Sequence, residues 1–168
     1  MPAQGLRRGA LIAVVAGLVA GVTNLVAAGA IYGGTMTHGF QMIASGLLGE
    51  QAFNEGLKAA VLGAVFHFAI SIAAAALYLW TALRHRALIQ HWLVGGLLFG
   101  VLAYLVMNLV VVPLSNAANP DLSLSMIARE LVAHTVMFGV PIAAIIKALL
   151  RNGQVPAPER ERARSATG

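Results

Sequence analysis

The sequence predicts an all-α polytopic membrane protein: a bundle of four transmembrane helices with a short interfacial helix between spans one and two. Three observations predict it. Hydrophobic residues make up 59% of the 168-residue chain and charged residues only 10%. Soluble domains are roughly 45–50% apolar and 25% charged. Mean hydropathy is +0.81. Finally, four runs each supply the ~20 apolar residues that a helix rising about 1.5 Å per residue needs to cross a ~30 Å hydrocarbon core.

The elements follow in order. Residues 1–9 form a short amino-terminal segment carrying Arg7 and Arg8. The first span, 10–31, has no charged residue. Arg7 and Arg8 before an apolar run, with Ala28-Gly-Ala30 after it, also resemble a signal peptide, but the run exceeds the usual ~7–15-residue h-region. In the interval Tyr32 to Gly56, Phe40, Ile43 and Leu47 recur at helical spacing among Gln41, Ser45 and Glu50. That pattern predicts the interfacial helix, and Gly39, Gly46 and Gly49 break the segment too often for it to span.

The second span, 57–83, ends on Tyr78 and Trp80 before the basic turn Arg84-His85-Arg86. Aromatic residues at a span's end suit the membrane interface. The third span, 92–114, finishes at Pro113, which disfavours helix continuation. The fourth, 124–150, follows an Asn119-Pro120-Asp121 turn with Ser123 as its N-cap, and Pro141 interrupts its backbone ladder. Arg129 and Glu130 in its first two turns are expected to stay at the interface by snorkelling or pairing. Residues 151–168 read as a disordered basic cytoplasmic tail.

The formal charge of +5 and pI near 10.5 do not point to nucleic acid, because the charges border the apolar runs. Nine basic residues lie on one side: Arg7, Arg8, Arg84, Arg86, Lys147, Arg151, Arg160, Arg162 and Arg164. Lys58 and Arg129 are on the other. The positive-inside rule therefore places both termini in the cytoplasm, with Arg7, Arg8, Arg84, Arg86, Lys147 and Arg151 as contacts to anionic lipid headgroups. With no cysteine, the chain has no disulfide, thiolate metal site or cysteine nucleophile.

Small residues at spacing four mark helix contact faces in lipid. Three such ladders occur: Ala13, Gly17 and Gly21; Gly63, His67, Ser71 and Ala75; Gly96, Gly100, Tyr104 and Asn108. Each of the last two joins small residues to polar ones. Depth adds a second argument. His67 and His134 lie about ten residues, roughly 15 Å, inside their spans from the outer side, and Asn24 and Asn108 approach the same layer from the inner side. One Asn or His per span suggests a duplicated pair of helices, Asn first and His second, and a buried polar layer of Asn24, His67, Ser71, Tyr104, Asn108, His134 and Thr135.

Three roles are open to that layer. In the first, the side chains bond one another and fix the register of the bundle, with Gly17, Gly21, Gly63, Gly96 and Gly100 packing the helices. In the second, they line a proton or solute path, since ionisable groups within spans mark such routes. In the third, His67 and His134 hold a haem b as paired axial ligands. No other cofactor and no metal is expected. The absence of a Ser elbow, an H-E-x-x-H motif or an intramembrane carboxylate argues against an enzyme. Self-association into a homo-oligomer remains open.

The stretches GLLGEQAF from Gly46, FHFAI from Phe66 to Ile70 followed by AALY to Tyr78, and VVVPLS from Val110 to Ser115 resemble small bacterial inner-membrane proteins of unknown function and, more loosely, the YagU-like inner-membrane proteins. The looser match runs from His67 to His134 and Gly139, about half the chain, and touches His67, Tyr78, Pro113 and His134. It implies a bacterial inner-membrane location and a link to acid tolerance. The chain departs from the pattern after its first span, where Tyr32 to Gly56 replaces a longer segment.

Overall fold

Long apolar runs without internal breakers become long helices, because every backbone N–H and C=O is then satisfied within its own segment. The computed structural model describes residues 2–117 and 123–151. The Asn119-Pro120-Asp121 turn and the tail from residue 152 onward, including Arg160, Arg162 and Arg164, lie outside the described residues. Helix α1 covers Pro2–Tyr32, α2 Met36–Leu48, α3 Leu57–Arg84, α4 Ala87–Gln90, α5 Trp92–Val106, α6 Leu124–His134 and α7 Val140–Arg151. A π-helical turn, Met107–Val111, extends α5, and another, Thr135–Gly139, joins α6 to α7 into one continuous rod. No strand occurs among the described residues.

Four helical rods are long and apolar enough to cross a membrane: Gln4–Tyr32, Leu57–Arg84, Trp92–Val111 and Leu124–Arg151. Their outward faces carry rows of exposed Leu, Val and Ile, among them Leu18, Val22, Val61, Val65, Leu98 and Leu102. The third rod stops at Val111, three residues short of the Leu114 boundary expected from sequence, because the chain turns at Val112, Pro113 and Leu114. Ser123 caps α6, its Oγ accepting from Met126 N at 3.3 Å. That satisfies one of the donors a helix start leaves without a partner.

The rods pack in the order α3, α1, α6–α7, α5. Small residues set the crossings. On α1, a side chain at Gly17 would stand 2.5 Å from Ile72 Cα, so α1 and α3 meet backbone to backbone. Gly96 and Gly100 do the same for α5 against the Gly139–Val140 and His134–Thr135 segments. Gly63 lets α3 approach the Phe40 carbonyl of α2. One end of the bundle gathers the basic residues. There Arg8 Nη2 donates to the Leu149 carbonyl at 3.1 Å, Arg84 stacks 3.8 Å over the Trp80 ring, and Lys147 Nζ lies 5.3 Å from the Trp92 ring centre.

The opposite end is covered by α2. Thr35 caps it, and Gly49, at φ +61°, ends it. Gly39 and Gly46 sit inside α2 without breaking it, contrary to the sequence expectation. The side it turns to the bundle is mixed, with Phe40 and Ile43 half-buried beside buried polar residues. Gln41, Ala44 and Ser45 face the bundle, while Leu47 is exposed. Gln41 Nε2 donates to Gly56 O at 3.1 Å. Asn116 N and Nδ2 reach Gly46 O and Leu47 O at 2.8 and 2.9 Å, clamping α2 to the end of the third rod. The helix is thus a lid tied to α3 and to the segment after α5.

Candidate functional site

Helices α3 and α5 stand at the two ends of the packing order. They touch where the Tyr78 and Phe99 rings meet edge to face at 5.1 Å, and they separate toward the lid. The gap brings together polar residues from all four rods. A chamber of about 290 Å³ beneath α2 has Asn24, His67, Asn108 and His134 in its walls, with Glu130 and Tyr32 among its other lining residues. A crevice of about 210 Å³ continues between α3 and α5, lined by Asn24, His67, Ser71 and His134 on its polar side.

The hydrogen bonds of this layer differ from the mutual network expected from sequence. Among the described residues, no side chain of the seven bonds to another. His67 Nε2 lies 2.9 Å from Gly21 O on α1, the one bond from this set that crosses between helices. The others return to their own helix: His134 Nδ1 to Glu130 O at 2.8 Å, Asn108 Nδ2 to Tyr104 O at 3.1 Å, Ser71 Oγ to His67 O at 2.8 Å, and Thr135 Oγ1 to Leu131 O at 2.7 Å. The physical reason is reach. Helices set apart around a cavity hold these side chains over open space, and each short side chain finds a carbonyl of the preceding turn first.

The two imidazoles are oriented by these bonds. A ring nitrogen facing a backbone carbonyl must carry the proton. In the neutral form, His67 is therefore protonated at Nε2 and His134 at Nδ1, leaving His67 Nδ1 and His134 Nε2 as acceptors. Aromatic rings hold them as well. His67 packs on Phe40 and Phe68 at 6.3 and 5.2 Å, and His134 on Tyr104 and Phe138 at 5.6 and 6.5 Å. For the pair to ligate a haem iron, His67 would have to release Gly21 or bind through Nδ1, so the arrangement does not favour that role. No cluster of three His, Cys, Asp or Glu side chains occurs among the described residues.

Two residues that sequence reasoning did not single out belong to the site. Glu130, expected at the interface, is half-buried in the chamber wall four residues before His134. The i, i+4 spacing to His134 was the signal for it. Thr23, next to Asn24, donates through Oγ1 to the Met137 carbonyl on the fourth rod. Pro141, four residues beyond Met137, has no N–H to offer that carbonyl, and Thr23 supplies the donor from α1.

Fold and site together define an all-helical protein with four rods of membrane-crossing length around a chamber lined by Asn and His. The chain matches no protein-family model, no curated protein and no solved structure.

Proposed function

We propose that this is a non-enzymatic integral protein of the bacterial inner membrane whose chamber is the outer half of a transport path for a small solute or proton. The observation that carries the reading is the chamber itself, which gathers Asn24, His67, Asn108 and His134 while leaving their remaining polar atoms without partners among the described residues. A purely architectural layer would be expected to close on itself, because a polar group left unpaired in hydrocarbon is costly.

Closure on the other side supports transport from a defined face. Below the chamber, Ala13, Ala16, Tyr78, Leu79, Ile142 and Ile146 form a buried apolar plug at the basic end. By the positive-inside rule, that end faces the cytoplasm with both termini, and its arginines meet anionic headgroups. The lid and chamber then face outward. The inner-membrane assignment rests on this charge distribution and on the resemblance to YagU-like proteins.

Because the chain has no cysteine, single cysteines report accessibility directly. In inside-out and right-side-out vesicles, Asn24→Cys and Asn108→Cys are expected to react with a membrane-impermeant thiol reagent from the lid side only. Resistance from both sides, or equal reaction from both, would overturn the proposal.

A further inference from the structure

The chamber and the crevice are chemically unlike, yet they share Asn24, Ile43, His67, Met107 and His134 in their walls. The chamber presents acceptors beside a few amide and hydroxyl donors. His67 and His134 have each committed their single neutral-state proton to a backbone carbonyl, and Asn108 has committed one of its two amide N–H groups. The acceptors that remain are His67 Nδ1, His134 Nε2 and Asn108 Oδ1, together with the carboxyl group of Glu130, and the Asn24 amide adds both an acceptor and donors. No Lys or Arg lines either cavity among the described residues. For either imidazole to donate as well, it would have to take up a second proton.

The crevice is almost wholly apolar, with Ile70, Leu77, Phe99, Leu102, Val106 and Phe138 in its walls. It opens sideways between α3 and α5, where Ile70, Leu77, Leu102 and Val106 are exposed on the rod surfaces. One end therefore fits a positively charged donor and the other a hydrocarbon group. The cavities, about 290 and 210 Å³, together fall within the ~300–1,000 Å³ of drug-sized ligand sites.

We propose that the joined cavity binds amphipathic organic amines in their protonated form. The ammonium N–H groups donate to His67, His134 and Asn108, Glu130 supplies the opposing charge, and the apolar substituent lies in the crevice between α3 and α5. The proposal rests on the chamber being an open solute site, as argued above. An organic anion of the same shape would meet the Asn24 amide donors but also the Glu130 carboxyl group, with no Lys or Arg among the described lining residues to offset it. A quaternary ammonium would bring the charge without the N–H donors.

The test is equilibrium binding to the full chain in nanodiscs containing anionic lipid, with empty nanodiscs as the blank. The probes are 2-phenylethylammonium, methylammonium, 3-phenylpropionate and the quaternary trimethyl analogue of the first. Saturable binding of 2-phenylethylammonium is expected, roughly tenfold or more tighter than methylammonium, since burying a phenyl group is worth at least about that factor. Binding of 3-phenylpropionate is expected to match the blank, and the quaternary analogue to bind weakly. Glu130→Gln and His134→Gln should each weaken 2-phenylethylammonium by about tenfold. Leu102→Trp, which fills the crevice, should erase the preference for the phenyl group and leave methylammonium unchanged. If Glu130→Gln fails to fold, His134→Gln and Leu102→Trp carry the same discrimination. Equal binding of the amine and the carboxylate, or a phenyl preference untouched by Leu102→Trp, overturns the proposal. An Asn24→Cys protein that reacts from the lid side, with a parent chain that binds no amine, overturns the ligand class alone. One that never reacts overturns the chamber reading itself.

Discussion

Gly139→Ala is the sharpest test of how the bundle is held together. Gly139 lies at the end of the π turn in the fourth rod, and a Cβ there would stand 2.7 Å from Gly100 N and 2.9 Å from Gly100 Cα, with the Gly96 carbonyl closer still. All three are backbone atoms, so no side chain can swing aside. Ordinary contact begins near 3.4 Å, and α5 must therefore move off the fourth rod by a large fraction of an ångström. Overpacking of this kind costs about 1–3 kcal/mol. Gly100→Ala strikes the same crossing from the other face and should cost a similar amount. Two controls calibrate the result. At Gly21, the nearest atoms are the Phe68 ring at 3.0 Å, which can rotate, so Gly21→Ala should cost under about 1 kcal/mol. At Gly9, nothing lies within 4 Å, and Gly9→Ala should be neutral or slightly stabilising. Reversible unfolding in mixed micelles, followed by far-ultraviolet circular dichroism, measures all four. A Gly139→Ala protein as stable as Gly9→Ala would refute the idea that backbone contact at Gly96, Gly100 and Gly139 sets this crossing.

Thr23→Val removes the donor to the Met137 carbonyl and should cost about 0.6–2 kcal/mol, the range for hydrogen bonds between membrane helices; in a Pro141→Ala background, where residue 141 regains its N–H, the same change should cost measurably less. An equal cost in both backgrounds would dissociate Thr23 from Pro141. Arg8→Ala breaks an exposed bond to Leu149 O and should shift unfolding by under about 1 kcal/mol, a change that rising salt reduces further. Glu55→Cys and His85→Cys, at exposed positions on opposite ends of the bundle, should react with an impermeant thiol reagent from opposite faces of the membrane; reaction from one shared face would rule out the assigned parity.

The rods were legible in the sequence because length and apolarity are properties of single segments. Spans of 10–31, 57–83, 92–114 and 124–150 end within a few residues of the helices that form, and all but the first begin so; α1 already starts at Pro2, eight residues before the expected boundary. The contact faces were legible for a similar reason, since Gly17, Gly63, Gly96 and Gly100 sit at four-residue intervals and each meets a neighbouring backbone. Facts about pairs of segments were harder to read. Gly139 escaped notice as a packing residue because its partners, Gly96 and Gly100, lie on another rod. The four residues placed by depth, Asn24, His67, Asn108 and His134, line one chamber, whereas Tyr104 and Thr135 line neither cavity, and the hydrogen bonds of the layer depend on how far apart the rods stand. No sequence period encodes that distance. The face that α2 buries was legible in part: Phe40 and Ile43 are half-buried as their spacing suggests, but the cover includes the polar segment around Gly56 and the small residues of α3, so Gln41 and Ser45 also turn inward while Leu47 is exposed.

The two π turns explain why the polar layer sits where it does. Each begins beside a polar residue of the chamber, at Met107 and Asn108 in the third rod and at His134 and Thr135 in the fourth, and each ends two residues before a proline, Pro113 or Pro141. A π turn widens the helix and a proline deletes a donor, so both loosen the backbone ladder at the same level. Asn108, His134 and Thr135 answer by donating to carbonyls of the preceding turn, and Thr23 does so from across the bundle. Asn108 and His134 thus perform two tasks at one position: one atom bonds a carbonyl of the preceding turn, and the opposite atom is left for the chamber. This coupling predicts an asymmetry between substitutions. His134→Gln keeps an amide donor that can reach Glu130 O, whereas His134→Leu removes both the donor and the acceptor. His134→Gln should therefore retain most of the stability while weakening amine binding by about tenfold, and His134→Leu should lose both. If His134→Leu were as stable as the parent chain, the histidine would have no backbone task, and its place beside the π turn would need another cause.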